Sequence, residues 1–232
     1  MRLNRRLNGQ LLELIIVFLL LVVGQLPTVG ARAQEEDLEE LFSQARSNSA
    51  LRAAFIKAYV QHEGLPAHVI RIQYSEQIEK VLATTNPLVE TDSGNYRFTS
   101  HALAIGRGYP SSMVFGPEMF KGYHRYADFL SVIQHEAAHA KFWATGELNW
   151  LGGVDTGKDS KVRLRGLFPI LFELDALKTQ MDHPSWQQTS LPFRTGQEAY
   201  RQKWLDKLEQ LEQESYVYDL KPLLDNIRRT YR

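Results

Sequence analysis

The sequence predicts an α+β fold, helix-rich overall, in which a small antiparallel or mixed sheet precedes long helices. Three observations carry the prediction. Residues 68–115 hold short segments of alternating hydrophobicity broken by glycine and proline. Residues 123–143 and 168–181 hold apolar side chains at helical spacing. Beyond residue 195, charges of alternating sign flank an apolar stripe, as on a solvated helix. A length of 232 residues and an apolar content of 44% suit one globular domain.

The chain begins with a basic stretch, Arg2, Arg5 and Arg6, and an apolar run over residues 14–23. Ala31-Arg32-Ala33 then offers a small-residue cleavage site. Residues 1–33 therefore read as a signal peptide cleaved after Ala33, the alternative being an uncleaved membrane anchor over residues 11–29. On either reading residues 34–232 form a single domain outside the cytoplasm: periplasmic or secreted, or held at the membrane by the anchor. Lys+Arg and Asp+Glu are both 27, and that balance argues against a nucleic-acid partner. The absence of cysteine excludes disulfides, thiolate metal sites and a cysteine nucleophile.

Residues 34–63 open with an acidic run and continue as a helical pair. Leu38, Leu41, Phe42 and Ala45 form one stripe, and Leu51, Ala54, Phe55 and Ala58 another, across a Ser-Asn-Ser break. A propeptide role is the functional alternative to simple packing. Residues 68–74 alternate as a strand with Ile70, Ile72 and Tyr74 on one side. Ser75 is placed to cap a short helix over residues 75–82. Asn86-Pro87 and residues 92–95 are turn signals. Residues 96–99, 102–105 and 112–115 are further strand candidates. Gly146 ends the helix of residues 123–143, and the glycine-rich residues 151–160 form a loop. Pro169 is tolerated in the first turn of the helix over 168–181. Thr195-x-x-Glu198 is a capping-box pattern opening the C-terminal helices of residues 195–230, the last of them over 218–229.

The chemistry concentrates at His135-Glu136-Ala137-Ala138-His139. Two histidines four residues apart lie on one face of a helix, so both imidazoles can reach one zinc ion. Glu136, about 100° round the helix, is placed to reach a water instead. A zinc hydrolase needs a third protein ligand and an open position. Glu173 is the leading candidate. It sits on an otherwise apolar face near Ile170 and Leu177, where a lone carboxylate is costly unless paired or bound to metal. A buried ion pair with Arg163 or Arg165 is the structural alternative. Asp175 points toward Lys178 and Asp182 and reads as solvated. Glu147 and Asp155 are rival ligands, but neither lies in the pattern its zinc clan requires. Phe142 stands where the glycine of HExxHxxGxxH/D would be.

His135-Glu-Ala-Ala-His139, with Glu173 inside Phe172-Glu-Leu-Asp-Ala176 on a later helix, resembles the gluzincin group of zinc metallopeptidases. The resemblance covers roughly residues 95–182. It implies a zincin-like core in which His135, His139 and Glu173 hold Zn2+. It implies Glu136 as general base in the hydrolysis of a peptide or protein substrate, and a substrate strand along the sheet edge, for which residues 112–115 are the candidate. An aspartate often follows the ligand glutamate by four residues in that group. Here the position is Leu177, leaving Asp128 and Gln180 as possible partners for the zinc histidines. Tyr123, Tyr126, His101 and His183 are candidate oxyanion donors. A zincin-like domain without activity, serving as a cell-envelope scaffold, is the alternative function. An intact Glu136 argues against it.

Overall fold

The computed structural model describes residues 29–90, 96–98, 108–148, 150, 167–214 and 221–231. The chain divides into two units, residues 1–40 and 41–232. Within the first, residues 29–40 are helical, the amino-terminal part of α1 (Val29–Ser47). That helix runs through the expected cleavage point at Ala33. The apolar run of residues 14–23 lies outside the described residues. Among the described residues no helix is long and apolar enough to cross a membrane.

The second unit is α+β and helix-rich. After α1 come α2 (Arg52–Glu63), β1 (Val69–Tyr74), β2 (Ala83–Glu90), β3 (Tyr96–Phe98), β4 (Ser111–Phe115), α3 (Tyr126–Thr145), α4 (Leu167–Asp182), α5 (Leu191–Glu214) and α6 (Lys221–Tyr231). The strands form one mixed sheet in the order β1-β4-β2-β3. β1 and β4 are parallel, and β2 runs antiparallel to β4 and to β3. β4 is therefore interior, with all five residues buried. Residues 112–115 are not the edge expected for substrate, because β1 and β2 occupy both sides of that strand.

Local expectations fail where tertiary contacts override them. A bulge between Val69 and Arg71 breaks the alternation of β1, so Ile70 is exposed while Val69 and Ile72 are buried. Residues 75–82 turn rather than form a helix. Ser75 accepts from Gln77 N at 3.2 Å, and Lys80 adopts φ +67°, which ends any helical run. Asn86-Pro87 lies inside β2, where Pro87 faces Ser111 as pairing passes from β4 to β3. Thr195 is interior to α5. That helix starts at Leu191, capped by Ser190, whose Oγ accepts from Phe193 N at 3.3 Å. Residues 92–95 and 102–105 lie outside the described residues.

Two apolar clusters hold α3 in place. On one side Phe42, Phe55, Phe115 and Phe129 interlock, with Phe55–Phe129 and Phe115–Phe129 centroids 4.9 and 4.8 Å apart. On the other, Phe142 joins Leu171, Leu174, Leu208, Ile227 and Tyr231 from α4, α5 and α6. α3 starts at Tyr126 rather than Tyr123, with Arg125 as the cap residue whose N–H donates to Asp128 Oδ2 at 2.9 Å. Gly146, at φ +75°, closes the helix in the left-handed region and donates to Phe142 O.

Asp128 is fully buried. Besides Arg125 N it accepts from Ser190 N (2.7 Å) and Ser190 Oγ (2.8 Å), so one carboxylate joins the amino ends of α3 and α5. Burial alone would raise its pKa. The contacts with His124, Ser190 and Arg125 outweigh burial and hold the carboxyl below its ordinary value of 3.8. A depressed folded pKa means stability that is complete above the unfolded value and is lost as pH falls through the folded one. Asp128→Ala is expected to cost about 3 kcal/mol in urea unfolding, and Asp128→Asn to flatten the acid side of the stability curve. An unchanged urea midpoint would contradict this role. Gly116→Ala places a methyl against the carbonyls of Ile78 and Val81. It is expected to cost about 2 kcal/mol, read as a lower melting temperature.

Candidate metal centre

α3 carries His135 and His139 one turn apart, and their Nε2 atoms lie 3.1 Å from each other. α4 packs across α3 and presents Glu173 to both. Its Oε2 is 3.6 Å from His135 Nε2 and its Oε1 is 3.8 Å from His139 Nε2. The three side chains form a group able to hold one metal ion. Bonds of about 2.0–2.1 Å in a tetrahedral set place neighbouring ligand atoms about 3.3 Å apart. The observed spacings bracket that value, so the donor set fits zinc in chemistry and in size. Both histidines are almost wholly buried, with 9% and 5% exposure, and His139 stacks on Phe172 at 3.9 Å. The stacking comes from the residue just before Glu173, so one turn of α4 positions both a candidate ligand and a ring.

The protonation pattern follows from burial and charge. His139 is pushed down to about 3 by burial and by the charge on His135, leaving its imidazole neutral. Burial lowers His135 too, but Glu173, Glu136 and Gln180 outweigh it and move the group upward. Glu173 is opposed by burial, yet His135, His139 and Tyr200 draw its carboxyl down to about 2. The shifts run in opposite directions on the two imidazoles, upward at His135 and downward at His139. A divalent cation held by His135, His139 and Glu173 would compete with protons for the same nitrogens.

Glu136 faces a different space. It is 5% exposed, and burial raises its pKa, with His135 and Thr85 opposing. Its Oε2 is buried without a hydrogen-bond partner. Its backbone carbonyl accepts from Thr85 Oγ1 at 3.2 Å, so β2 anchors the helix at Glu136. Glu136 and His135 open onto a cleft of about 400 Å3, whose walls include Leu82 and Ala83 from the entry to β2 and Tyr200 from α5.

Tyr200 is the residue that sequence reasoning missed. Its hydroxyl donates to Glu173 Oε2 at 3.1 Å, and burial with the Glu173 charge pushes its pKa up to about 12, so it stays a donor. In the sequence it is one member of an amphipathic stripe, with no local sign that α5 crosses α4 there. Of the expected donors, Tyr123 lines the cleft, whereas Tyr126 sits in the aromatic cluster with Phe42 and Phe55. His183 caps a turn by accepting from Ser185 N. His101, Asp155, Arg163 and Arg165 lie outside the described residues. Glu147 is exposed and lies outside the metal group. Asp175 is not solvated: it is 2% exposed and accepts from Trp150 N (2.9 Å) and Tyr231 hydroxyl (3.1 Å), because α6 folds over it. Of the two possible partners for the histidines, Asp128 is committed to the helix caps. Gln180 lines the cleft and bears on His135.

The purified protein is expected to bind one equivalent of Zn2+, raising its melting temperature by roughly 5–10 °C at a hundredfold excess over Kd. Affinity should fall as pH drops through the raised pKa of His135, where a proton competes for that imidazole. Glu173→Gln should weaken binding by at least about a hundredfold, whereas Asp175→Asn should lower stability and leave zinc affinity in place. Titration calorimetry with metal analysis reads each outcome.

Compared with protein-family models, with curated proteins and with solved structures, the chain gives no match.

Proposed function

We propose that the protein is a zinc metallopeptidase of the gluzincin type, with a zincin-like core, exported from the cytoplasm and acting on peptides or proteins. The observation that carries this reading is the convergence of His135, His139 and Glu173 on one point, with Glu136 beside them opening onto a cleft. Zinc held by those three residues would supply Lewis acidity and an acidified water.

The chain's own groups supply the rest. Glu136, with its pKa raised by burial, is suited to accept a proton from a water in the cleft and to return it to the leaving amine. His135 and His139 keep their Nε2 atoms turned together, and Glu173 closes the third side. Tyr200 fixes the Glu173 carboxylate with its one O–H at the wall of the cleft, and would serve a developing oxyanion by turning that O–H from Glu173 to it. A substrate chain would pass the entry to β2 at Leu82 and Ala83, since β4 is enclosed.

Glu136→Gln is expected to lower kcat/KM on peptide libraries by about 10²–10⁴ while zinc still binds. Tyr200→Phe should lower kcat by about 10–10³ with the melting temperature of the zinc-loaded protein nearly kept. Stoichiometric zinc with no cleavage of any peptide, in wild type and Glu136→Gln alike, would sink the peptidase reading and leave a zinc-bearing scaffold.

A further inference from the structure

We propose that Gly196 sets the specificity of the cleft: it leaves one turn of α5 bare, and the groove so opened receives a large apolar side chain of the substrate, within two residues of the scissile bond. This rests on the metallopeptidase reading and adds the substrate class to it.

Gly196 is the sixth residue of α5 and lines the cleft. Inside a helix, glycine is the least favourable residue after proline. A left-handed backbone or a close neighbour commonly accounts for one. Neither holds here. Gly196 is not among the glycines with positive φ, and a β-carbon built on it would meet nothing within 4 Å. Phe193 and Tyr200 flank it at three and four residues, so all three share one face of α5, and all three line the cleft. The space that Gly196 leaves therefore opens onto the cleft.

Its position relative to the metal group follows from the same face. Phe193 touches the His124 ring at 5.8 Å, and the Tyr200 hydroxyl bonds Glu173 at 3.1 Å. Gly196 thus stands one turn, about 6 Å, before the residue that reaches the metal group. An extended peptide covers that distance in two residues at about 3.3 Å each.

A ligand beside Gly196 meets mostly carbon. Val81, Leu82, Val132, Pro192 and Phe193 line the cleft. The polar side chains among them withhold their heads: both ring nitrogens of His124 and both amide atoms of Gln180 are buried out of reach of solvent. Lys80 stays exposed to water, and Glu136 is engaged in proton transfer. The apolar wall continues past the mouth. Of the six exposed large apolar side chains among the described residues, Val81 and Tyr123 line the cleft and Leu191 adjoins Pro192. Such side chains gathered at one place mark a binding surface, whereas scattered ones need no explanation. The cleft, at about 400 Å3, has the size of a ligand site.

The test uses the zinc-loaded full chain and three sets of acetylated, amidated hexapeptides built from Gly, Ala and Ser. The first set carries one Phe or Leu at each position in turn, the second one Asp or Lys, and the third neither. Cleavage is followed by mass spectrometry. The first set is expected to be cleaved at least about tenfold faster in kcat/KM than either other set, the gain from burying one such side chain, and always within two residues of it. Gly196→Leu fills the groove and should bring that ratio close to one, chiefly through KM. Gly196→Ala should lower the ratio by about threefold while raising the melting temperature by about 2–4 °C, since alanine is the better helix former. A merely structural glycine would not give a variant both more stable and less selective. Should Gly196→Leu fold poorly, Gly196→Ala decides. A wild type without the preference, or variants that fold and keep it, overturns the assignment and spares the peptidase reading. Where no set is cleaved, that reading fails and titration calorimetry of binding decides the rest. Selective binding of the first set, lost in Gly196→Leu, supports the groove; absence of selective binding overturns it as well.

Discussion

The Asp128 carboxylate is the interaction on which the arrangement depends. It is wholly buried, and its hydrogen bonds reach Arg125 N, Ser190 N and Ser190 Oγ. A buried charge is tolerable only when such donors surround it, and three donors to an ionised acceptor are stronger than their neutral counterparts. The result is a common origin for α3 and α5, 62 residues apart in the chain. α3 then carries the histidines, and α5 carries Tyr200 to within 3.1 Å of Glu173. Loss of that carboxylate would release the helix that closes the cleft, not merely one turn of cap.

Around the metal group, opposing charges account for one another. Glu173 is ionised because two imidazoles and a phenol face it. His139 is pushed down to about 3 by burial first and by His135 second. Glu136 stands outside this cancellation, with one oxygen unpartnered and its pKa raised. The two carboxylates thus differ in role for a physical reason, one drawn down by partners and one pushed up by burial. Gln180 occupies the place where a charged partner for His135 would add a further negative group to an already crowded site.

Much of this was legible in the sequence, and the limits have definite causes. The period of α3 and the four-residue spacing of its histidines are local, so they could be read directly. Glu173 was legible because a carboxylate on an apolar face demands a partner. Asp175 was misread because its cover, Tyr231, lies 56 residues away on a helix whose docking no local pattern reveals. Tyr200 was missed on the same ground, 27 residues from the carboxylate it bonds. The turn reading of Asn86-Pro87 failed because a proline is admissible in a strand where pairing changes partner. The capping box at Thr195 failed because Ser190, already held by Asp128, starts α5 earlier.

The sheet is tied to the cleft by one backbone bond and one side-chain bond. Gly116 leaves room for the carbonyls of Ile78 and Val81, and its N–H donates to Leu82 O at 3.1 Å. That close approach folds residues 75–82 against the end of β4 and delivers the chain into β2 at Ala83. Two residues on, Thr85 bonds the carbonyl of Glu136. The loop before β2 and the strand that bonds the Glu136 carbonyl are therefore one continuous segment, held by Leu82 O to Gly116 N–H and by Thr85 Oγ1 to Glu136 O. A movement of that loop must pass to the helix at Glu136 or break one of those bonds. Two bonds three residues apart, at Leu82 and Thr85, thus tie the end of β4 to α3 at Glu136.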